Sequence, residues 1–341
     1  MRVAVIGCGF FAQNHLNGWR DLAAEGVELV AVCDIDPKKA EDAGRTFGVP
    51  RFYMEAGAML AEEQIDFVDI VTQMDTHLEM VQLACAKGVD IILQKPLAPE
   101  WSAARDVVET ARKAGVRLAI HENFRYQSPM RKLKGVLDSG AIGKPTWARI
   151  AFRTGYDIYA VQPYLHQAKR FAILDVGIHT LDLARFFLGD VERVSCESQC
   201  RNPENVGEDT ATILLRHRSG AVSVVEVTME ARIDPDPFPE TLVTIEGDGG
   251  SASVGPGLAA RITSGAQTRE EDFGSPLLSW TSQPWHTVQE SVLRTEEAII
   301  RAWRAGKDPE STGDDNLKTY ALVEAAYEAA REGRAVVPEV N

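Results

Sequence analysis

The sequence predicts two domains: an α/β domain built on a doubly wound parallel sheet, and an α+β domain with a large, open, mainly antiparallel sheet. The chain has 341 residues, which is long for a single hydrophobic core. Apolar strands alternate with helical patterns over the first third, as in a parallel sheet with right-handed crossovers. After residue 123, strands follow strands, which favours antiparallel pairing. We therefore expect domains at residues 1–122 and 123–341.

The elements of the first domain follow from apolar periodicity and helix-start signals. Asp36 followed by Pro37 predicts a capped helix start. The run Phe67–Val71 is largely apolar, as expected of a strand covered on both faces. Strands are expected near residues 2–6, 28–34, 67–71, 89–93 and 117–121, and helices near residues 10–24, 37–47, 75–87 and 99–114.

Glycine-containing turns separate the predicted elements of the second domain. Residues 140–145 predict a turn between a helix and a strand, and residues 218–220 and 247–250 predict hairpin turns. The polar residues 264–284 are interpreted as a loop with an edge strand. Helices are expected near residues 127–138, 177–188, 286–305 and 315–332, and strands near residues 146–154, 191–200, 209–217, 221–231, 240–247 and 251–254.

The most informative motif is Gly7-x-Gly9-x-x-Ala12, placed between an apolar strand and a helix. Asp34 closes the next strand roughly twenty residues later, which completes the dinucleotide-binding Rossmann fingerprint. Gly7 permits a tight turn, Gly9 lets a pyrophosphate approach the backbone, and the small Ala12 lets the helix lie close to the strand. Free N–H groups at the helix start would then bind the phosphates.

Asp34 indicates which dinucleotide is bound. Its carboxylate can accept hydrogen bonds from the adenosine ribose hydroxyls and would repel a 2′-phosphate, which favours NAD. Ile35 offers an apolar surface to the adenine. A solvated carboxylate at a strand end is the alternative interpretation. Lys38 and Lys39 leave NADP open, because a nearby cation tolerates the extra phosphate.

Two groups of residues could carry chemistry at the strand ends. Lys95 ends an apolar strand, and Pro96 biases it toward an extended conformation that directs its side chain into the crevice. A lysine there can stabilise a developing alkoxide, although a surface lysine is equally compatible with this position. Asp175 and His179 lie four residues apart on one face of a helix start, where the histidine is available as a base. A capping Asp175 and a core His179 remain the alternative.

Other polar residues are weaker candidates. His77 lies at a helix start and is expected to line the nicotinamide side of the crevice or to cap the helix. His15 and His217 are interpreted as structural or exposed. Tyr164 and His166 lie in an irregular segment, where they could bind a hydroxylated ligand.

Composition excludes several classes of partner and chemistry. The formal net charge of −14 would repel nucleic acid and anionic membranes. Cys196 and Cys200 lie too far apart along a predicted strand for a disulfide, and no metal site is expected. The chain begins in a predicted strand and has no apolar run of about eighteen residues, so we expect a cytoplasmic protein. It also lacks the nucleophile elbow of hydrolases and the phosphate loop of kinases.

Taken together, these motifs resemble the glucose–fructose oxidoreductase / inositol dehydrogenase / MocA (GFO/IDH/MocA) family over nearly the whole chain. The resemblance implies that Lys95, Asp175 and His179 form the catalytic group. One departure is Gln94, where the family signature has an acid, and this change removes a negatively charged neighbour of Lys95. The segments that carry the resemblance are Gly7–Ala12, Thr72–His77, Gln94-Lys95-Pro96, Asn123–Tyr126, Gly140–Gly143, Asp175–His179 with Asp182, and Glu208-Asp209-Thr210.

The resemblance implies NAD-dependent oxidation of a hydroxyl group of a sugar or cyclic polyol. Within the family, several segments of the chain resemble aldose dehydrogenases that yield a lactone. An inositol or sugar-derivative dehydrogenase or reductase is the alternative in the same class, and a non-catalytic dinucleotide sensor is the alternative in another class. In the implied roles His179 is the base, Lys95 stabilises the alkoxide and Asp175 orients both. The open sheet face predicts a homodimer or homotetramer.

The implied contacts fall into two sets. The residues expected to bind the cofactor are Gly7, Gly9, Phe10, Phe11, Asp34, Ile35, Thr72, His77, Gln94 and Lys95. Those expected to bind the substrate are Asn123, Arg125, Tyr164, His166, Asp175 and His179.

Overall fold

The structure, a computed structural model, describes residues 1–339 and divides into two units. The first unit contains Met1–Asn123 and Ser291–Leu317. Its strands pair in parallel in the order β3-β2-β1-β4-β5-β6, which confirms the predicted doubly wound sheet. The strands are β1 (Arg2–Ile6), β2 (Glu28–Cys33), β3 (Arg51–Tyr53), β4 (Phe67–Ile70), β5 (Asp90–Gln94) and β6 (Leu118–His121).

Five helices connect these strands. Asp36 caps the second of them by accepting a hydrogen bond from the Lys38 backbone N–H at 2.9 Å, as the Asp36-Pro37 pair predicts. The first helix is shorter than expected, because residues 22–25 form a 3₁₀ turn. The helices are α1 (Ala12–Asp21), α2 (Pro37–Phe47), α3 (Ala56–Glu62), α4 (His77–Lys87) and α5 (Trp101–Ala114).

The sequence did not predict β3 or α3. The three residues of β3 are too few to show a period, and Arg51 and Phe52 are exposed at the edge of the sheet. The seven residues of α3 follow Glu55, whose side chain makes no capping hydrogen bond. Both elements therefore lack the local signals on which a prediction depends.

The second unit contains Phe124–Glu290 and the residues from Lys318 onward. Its eight strands follow the order β14-β13-β12-β11-β7-β10-β9-β8, and every neighbouring pair is antiparallel except β10 with β7. This confirms the predicted, mainly antiparallel sheet. The strands are β7 (Pro145–Arg153), β8 (Val191–Gln199), β9 (Thr210–His217), β10 (Val222–Thr228), β11 (Leu242–Gly247), β12 (Gly250–Val254), β13 (Ala259–Ser264) and β14 (Gln267–Asp272).

Two expectations for this sheet need correction. Residues 259–264 form β13, which the sequence analysis did not predict, while β14 is the expected edge strand. Every residue of β14 is exposed, so no apolar alternation marks it in the sequence. Cys200 lies just outside β8 rather than in the same strand as Cys196, and both cysteines are free.

The remaining helices complete the chain. They are α6 (Ser128–Asp138), α7 (Ile178–Leu188), α8 (His286–Arg304) and α9 (Gly313–Glu332). Within residues 1–339, none of the helices combines the length and the apolar character needed to cross a bilayer.

Candidate active site

The glycine turn after β1 has the geometry that its sequence predicts. Gly7 adopts a φ of +98°, and its N–H donates to the Cys33 carbonyl at 2.7 Å. A Cβ at Gly7 would overlap the carbonyl oxygen of Val71, so only glycine fits there. A Cβ at Gly9, in contrast, would meet no atom within 4 Å. The backbone at Gly9 therefore faces open space, and this fits the close approach of a dinucleotide phosphate.

The carboxylate of Asp34 is held rigidly beside this turn. Its Oδ2 accepts from the Cys8 backbone N–H at 2.8 Å, and its Oδ1 accepts from the Asp36 backbone N–H at 2.9 Å. Both oxygens keep further lone pairs for a ribose hydroxyl. Ile35 is 91% exposed, so its side chain is available to an adenine ring. These features fit the predicted contacts of Asp34 and Ile35 with an adenosine.

His77 connects the ends of β4 and β5. Its ring is buried, with Nδ1 3.1 Å from the Leu97 carbonyl and Nε2 3.2 Å from the Thr72 carbonyl. Burial lowers the pKa of His77, which favours the neutral ring with a single N–H donor. The Thr72 hydroxyl accepts from Thr76 at 2.8 Å. The neutral ring can donate to only one of these two carbonyls, so His77 lies against the segments at Thr72 and at Leu97 and hydrogen-bonds one of them.

Gln94 and Lys95 stand at the end of β5. Lys95 is half-buried, and its backbone N–H donates to Oε1 of Gln94 at 2.7 Å. The Gln94 amide nitrogen lies 3.1 Å from Nε2 of His15. Both ends of the Gln94 amide therefore contact protein groups, His15 and the Lys95 backbone. The family resemblance, in contrast, implies that Gln94 contacts the cofactor.

A buried polar cluster, which the sequence analysis did not predict, lies next to Gln94 in the first unit. Nδ1 of His15 is 2.8 Å from Oδ2 of Asp69, which also accepts from Trp19 Nε1 at 2.7 Å. Glu296 lies 3.7 Å from His15 Nδ1, and a side chain at Gly18 would overlap its carboxyl. The one available signal was Asp69, because an acid within a buried strand must find a partner.

His15, His121 and Glu296 offer potential metal ligands within 4.8 Å of one another. Both ring nitrogens of His15 already lie within hydrogen-bond distance of Asp69 and Gln94, so a metal ion would have to displace one of these contacts. Burial, followed by the charge of Asp69, raises the pKa of Glu296 well above its ordinary value and favours the neutral acid, a poor metal ligand. We therefore interpret the group as a buried polar cluster in which His15 is hydrogen-bonded to Asp69 and Gln94.

In the second unit, Asp175 and His179 lie on different kinds of helical turn. Residues 173–177 form a π-helical turn that contains Asp175, and His179 is the second residue of α7. The continuous helical segment therefore begins upstream of the expected start near residue 177, and the dipole effect expected at His179 is weaker. His179 is 4% exposed, and its ring stacks on Phe124 with centroids 3.8 Å apart.

Arg125 and Asn123 are both buried, and protein groups bind their side chains. Arg125 donates from Nε to Oδ2 of Asp182 at 2.7 Å and from Nη2 to the other oxygen. Asp182 belongs to α7, less than one turn after His179. The Asn123 amide nitrogen donates to Ser291 Oγ at 2.7 Å. A substrate would therefore compete with these existing contacts.

Tyr164 and His166 lie in a short 3₁₀ helix, residues 163–167. Partial burial and the neighbouring carboxylate of Asp175 raise the pKa of the Tyr164 phenol to about 12. Its hydroxyl donates to Gln162 Oε1 at 2.6 Å, and its side chain remains accessible. Nδ1 of His166 lies 2.8 Å from Asn205 Oδ1. Tyr164 therefore lies close enough to Asp175 for the carboxylate charge to raise the pKa of its phenol, while His166 lies next to Asn205.

The parallel sheet, the glycine turn and the anchored strand-end carboxylate define a dinucleotide-binding domain. Two sequence models extend this conclusion. One, described as an oxidoreductase family with an NAD-binding Rossmann fold, matches residues 1–122. The other, the GFO/IDH/MocA C-terminal domain, matches residues 130–253. The chain belongs to the GFO/IDH/MocA family, as its motifs predict, and its residues 1–122 form the NAD-binding Rossmann fold of that family.

Three relatives are similar to this chain over almost its full length. A D-apiose dehydrogenase of Rhizobium rhizogenes is 45% identical over 98% of this chain and 97% of its own. A D-apiose dehydrogenase of Paraburkholderia graminis is 45% identical over 98% of this chain and 88% of its own. A crystal structure of an oxidoreductase from Agrobacterium radiobacter in complex with NAD⁺, L-tartaric acid and magnesium is 45% identical, with a TM-score of 0.96 over 99% of this chain and 98% of its own.

Proposed function

We propose that this protein is an NAD-dependent aldose dehydrogenase that oxidises D-apiose to a lactone. The observation that carries the proposal is the 45% identity to two D-apiose dehydrogenases over 98% of this chain. The intact set of Lys95, Asp175 and His179 supports it, because a non-catalytic sensor has no use for a base and an alkoxide-stabilising lysine.

The proposed roles follow from the chemistry of each side chain. Lys95 donates a hydrogen bond from Nζ to the reacting oxygen and stabilises the negative charge that develops there. His179 accepts the proton of the hydroxyl, and Asp175 orients the base and the substrate. NAD, when bound, takes the hydride from the reacting carbon, so that the alcohol loses one proton and one hydride in total.

Binding of the sugar is assigned to polar side chains, all of which except Asn123 belong to the second unit. Tyr164 presents an accessible phenol whose raised pKa keeps it protonated and able to donate a hydrogen bond. Arg125 carries N–H groups beyond those given to Asp182. His166 and Asn123 complete the proposed substrate contacts, together with Asp175 and His179.

We further propose that the protein is a homodimer or homotetramer. Along β9 the residues alternate between buried and exposed, so that Thr212, Leu214 and Arg216 stand on an exposed face of the sheet. Leu214 is 47% exposed, which leaves an apolar side chain available for a second copy of the chain. Light scattering of the purified protein tests this, and a monomer would contradict it.

A turnover screen tests the proposed reaction. Purified protein is assayed by the near-ultraviolet absorbance of reduced cofactor with D-apiose, other aldoses and myo-inositol, using NAD and NADP in parallel. We expect the highest kcat/KM with D-apiose and NAD. Turnover of myo-inositol but of no aldose would identify the substrate as a cyclic polyol. Binding of NAD without turnover of any sugar or polyol would favour a sensor.

A further inference from the structure

Gln94 joins the end of β5 to the buried polar cluster of the first unit. We define the Gln94 cluster as Gln94, His15, Asp69, Trp19 and Glu296. His15, Asp69, Trp19 and Glu296 are fully buried, and Gln94 is 7% exposed. Hydrogen bonds between groups so far from solvent are strong and fix the direction in which each proton points.

The orientation of the Gln94 amide follows from its neighbours. The backbone N–H of Lys95 can only donate, so the Gln94 atom 2.7 Å away must be the carbonyl oxygen. The amide nitrogen therefore points the other way, toward Nε2 of His15 at 3.1 Å. An amide NH₂ can also only donate, so Nε2 of His15 must offer its lone pair.

This constraint places the proton of His15 on its other nitrogen. Nδ1–H then donates to Oδ2 of Asp69 at 2.8 Å, and Trp19 donates to the same oxygen at 2.7 Å. Oδ2 of Asp69 therefore accepts from two donors, whereas its Oδ1 is buried and has no hydrogen-bond partner among the described residues. The hydrogen bonds that link the Lys95 N–H, the Gln94 amide, His15 and Oδ2 of Asp69 can all form when His15 is neutral with its proton on Nδ1.

We propose that Gln94 is a positioning residue for Lys95, whose backbone it holds through an amide that the Nδ1–H tautomer of His15 orients. The inference rests on the catalytic role proposed for Lys95. The bond to the Lys95 N–H fixes the backbone from which that side chain extends. A small displacement of a reacting group can cost about a hundredfold in rate.

An acid at position 94, as in the family signature, would change the protonation state of His15. A carboxylate at position 94 could still accept from the Lys95 N–H, but it has no N–H to donate to His15. Nε2 of His15 would then need a proton of its own, while Nδ1–H still faces Asp69. His15 would therefore become an imidazolium, surrounded by the new carboxylate, Asp69, Glu296 at 3.7 Å and the ring of His121 at 4.1 Å.

Two substitutions distinguish the hydrogen bond between Lys95 and Gln94 from the hydrogen bond between Gln94 and His15. Gln94→Met has a similar length but removes both hydrogen bonds, and we expect kcat to fall by about tenfold or more while KM for NAD changes by less than about twofold. Gln94→Glu keeps the acceptor for Lys95, and we expect it to recover most of the kcat lost in Gln94→Met. Gln82→Met, at an exposed position of α4, is the matched control and should retain wild-type kinetics.

A spectroscopic measurement reads the proton positions directly. Nitrogen NMR of the ¹⁵N-histidine-labelled, NAD-bound protein should show one His15 nitrogen protonated in the wild type and both protonated in Gln94→Glu. The His15 signals are assigned as those that change in the Gln94→Met protein. The tautomer of His15 reports the orientation of the Gln94 amide, and the recovery of kcat in Gln94→Glu reports the positioning of Lys95. If Gln94→Met does not fold, Gln94→Glu identifies the same signals.

Three results would overturn the inference. One is a wild-type His15 protonated on Nε2, and another is a Gln94→Glu protein in which His15 stays neutral. The third is a folded Gln94→Met protein with wild-type kcat. Normal turnover by Lys95→Ala would instead overturn the proposed function, so the two failures are distinguishable. If Lys95→Ala is inactive while Gln94→Met is fully active, the proposed function stands and only the positioning role of Gln94 is wrong.

Discussion

His179 stacks face to face on Phe124, with ring centroids 3.8 Å apart and ring planes inclined by 3°. The contact fixes the plane of the imidazole without using either ring nitrogen. Phe124 belongs to the Asn123–Tyr126 segment that carries the family resemblance, which gives this ring a role that the sequence alone did not reveal.

We predict that Phe124→Leu lowers kcat by roughly two- to tenfold, because aromatic stacking contributes about 0.5–1.5 kcal/mol beyond the burial of the ring. KM for NAD should change little. Steady-state kinetics of the folded variant check this, with Phe52→Leu in β3 as the matched control. Wild-type kcat in Phe124→Leu would show that the stacking does not position His179.

His179→Ala should remove the pH dependence of kcat/KM that a titrating base produces. The expected wild-type profile rises as the base loses its proton, and the variant profile should be flat at a much lower rate. Rates measured across the neutral range with D-apiose check this. A variant that keeps the wild-type profile would mean that another group accepts the hydroxyl proton.

Asp34→Asn should shift the cofactor preference toward NADP. The amide keeps the shape of the carboxylate but removes the charge that would repel a 2′-phosphate, and Lys38 and Lys39 are exposed nearby in the sequence. We expect the ratio of kcat/KM for NADP to that for NAD to rise by about tenfold or more. Asp42→Asn in α2 is the control. An unchanged ratio would remove Asp34 from ribose recognition.

Glu296→Gln should stabilise the protein at neutral pH. Burial, followed by the charge of Asp69, raises the pKa of Glu296 well above its ordinary value of about 4.3. The folded protein thus retains a proton that the unfolded chain releases, and the free energy of unfolding falls as pH rises above about 4.3. The neutral amide avoids this loss.

Urea unfolding at two pH values tests the prediction for Glu296. The midpoint of Glu296→Gln should exceed that of the wild type near pH 7, and the difference should vanish near pH 4. A variant that is less stable than the wild type at both values would mean that the carboxyl makes a favourable contact which the amide cannot replace.

The features that the sequence predicts well are those with local causes. The cap of α2 depends on Asp36 and Pro37, and the tight turn at Gly7 depends on an unusual φ, so both can be recognised in a short stretch of residues. The π-helical turn around Asp175 has no comparable local signal, and it displaces the helix start from its expected position.

The Gln94 cluster shows why part of the site was not predicted from the sequence. His15 and Glu296 are 281 positions apart in the sequence, yet both approach the same buried carboxylate, Asp69. No periodicity relates such distant residues. A signature residue such as Gln94 can therefore be identified from the sequence, whereas its partners require the fold.

The most direct test of the central claim compares wild-type protein with Lys95→Ala in D-apiose oxidation. Lys87→Ala, which removes an exposed lysine from the end of α4, is the control. We predict NAD-dependent turnover by the wild type and the control, with a loss of about a hundredfold or more in kcat in Lys95→Ala and NAD binding retained. Near-normal turnover by a folded Lys95→Ala protein, or no oxidation of D-apiose by the wild type, would contradict the account.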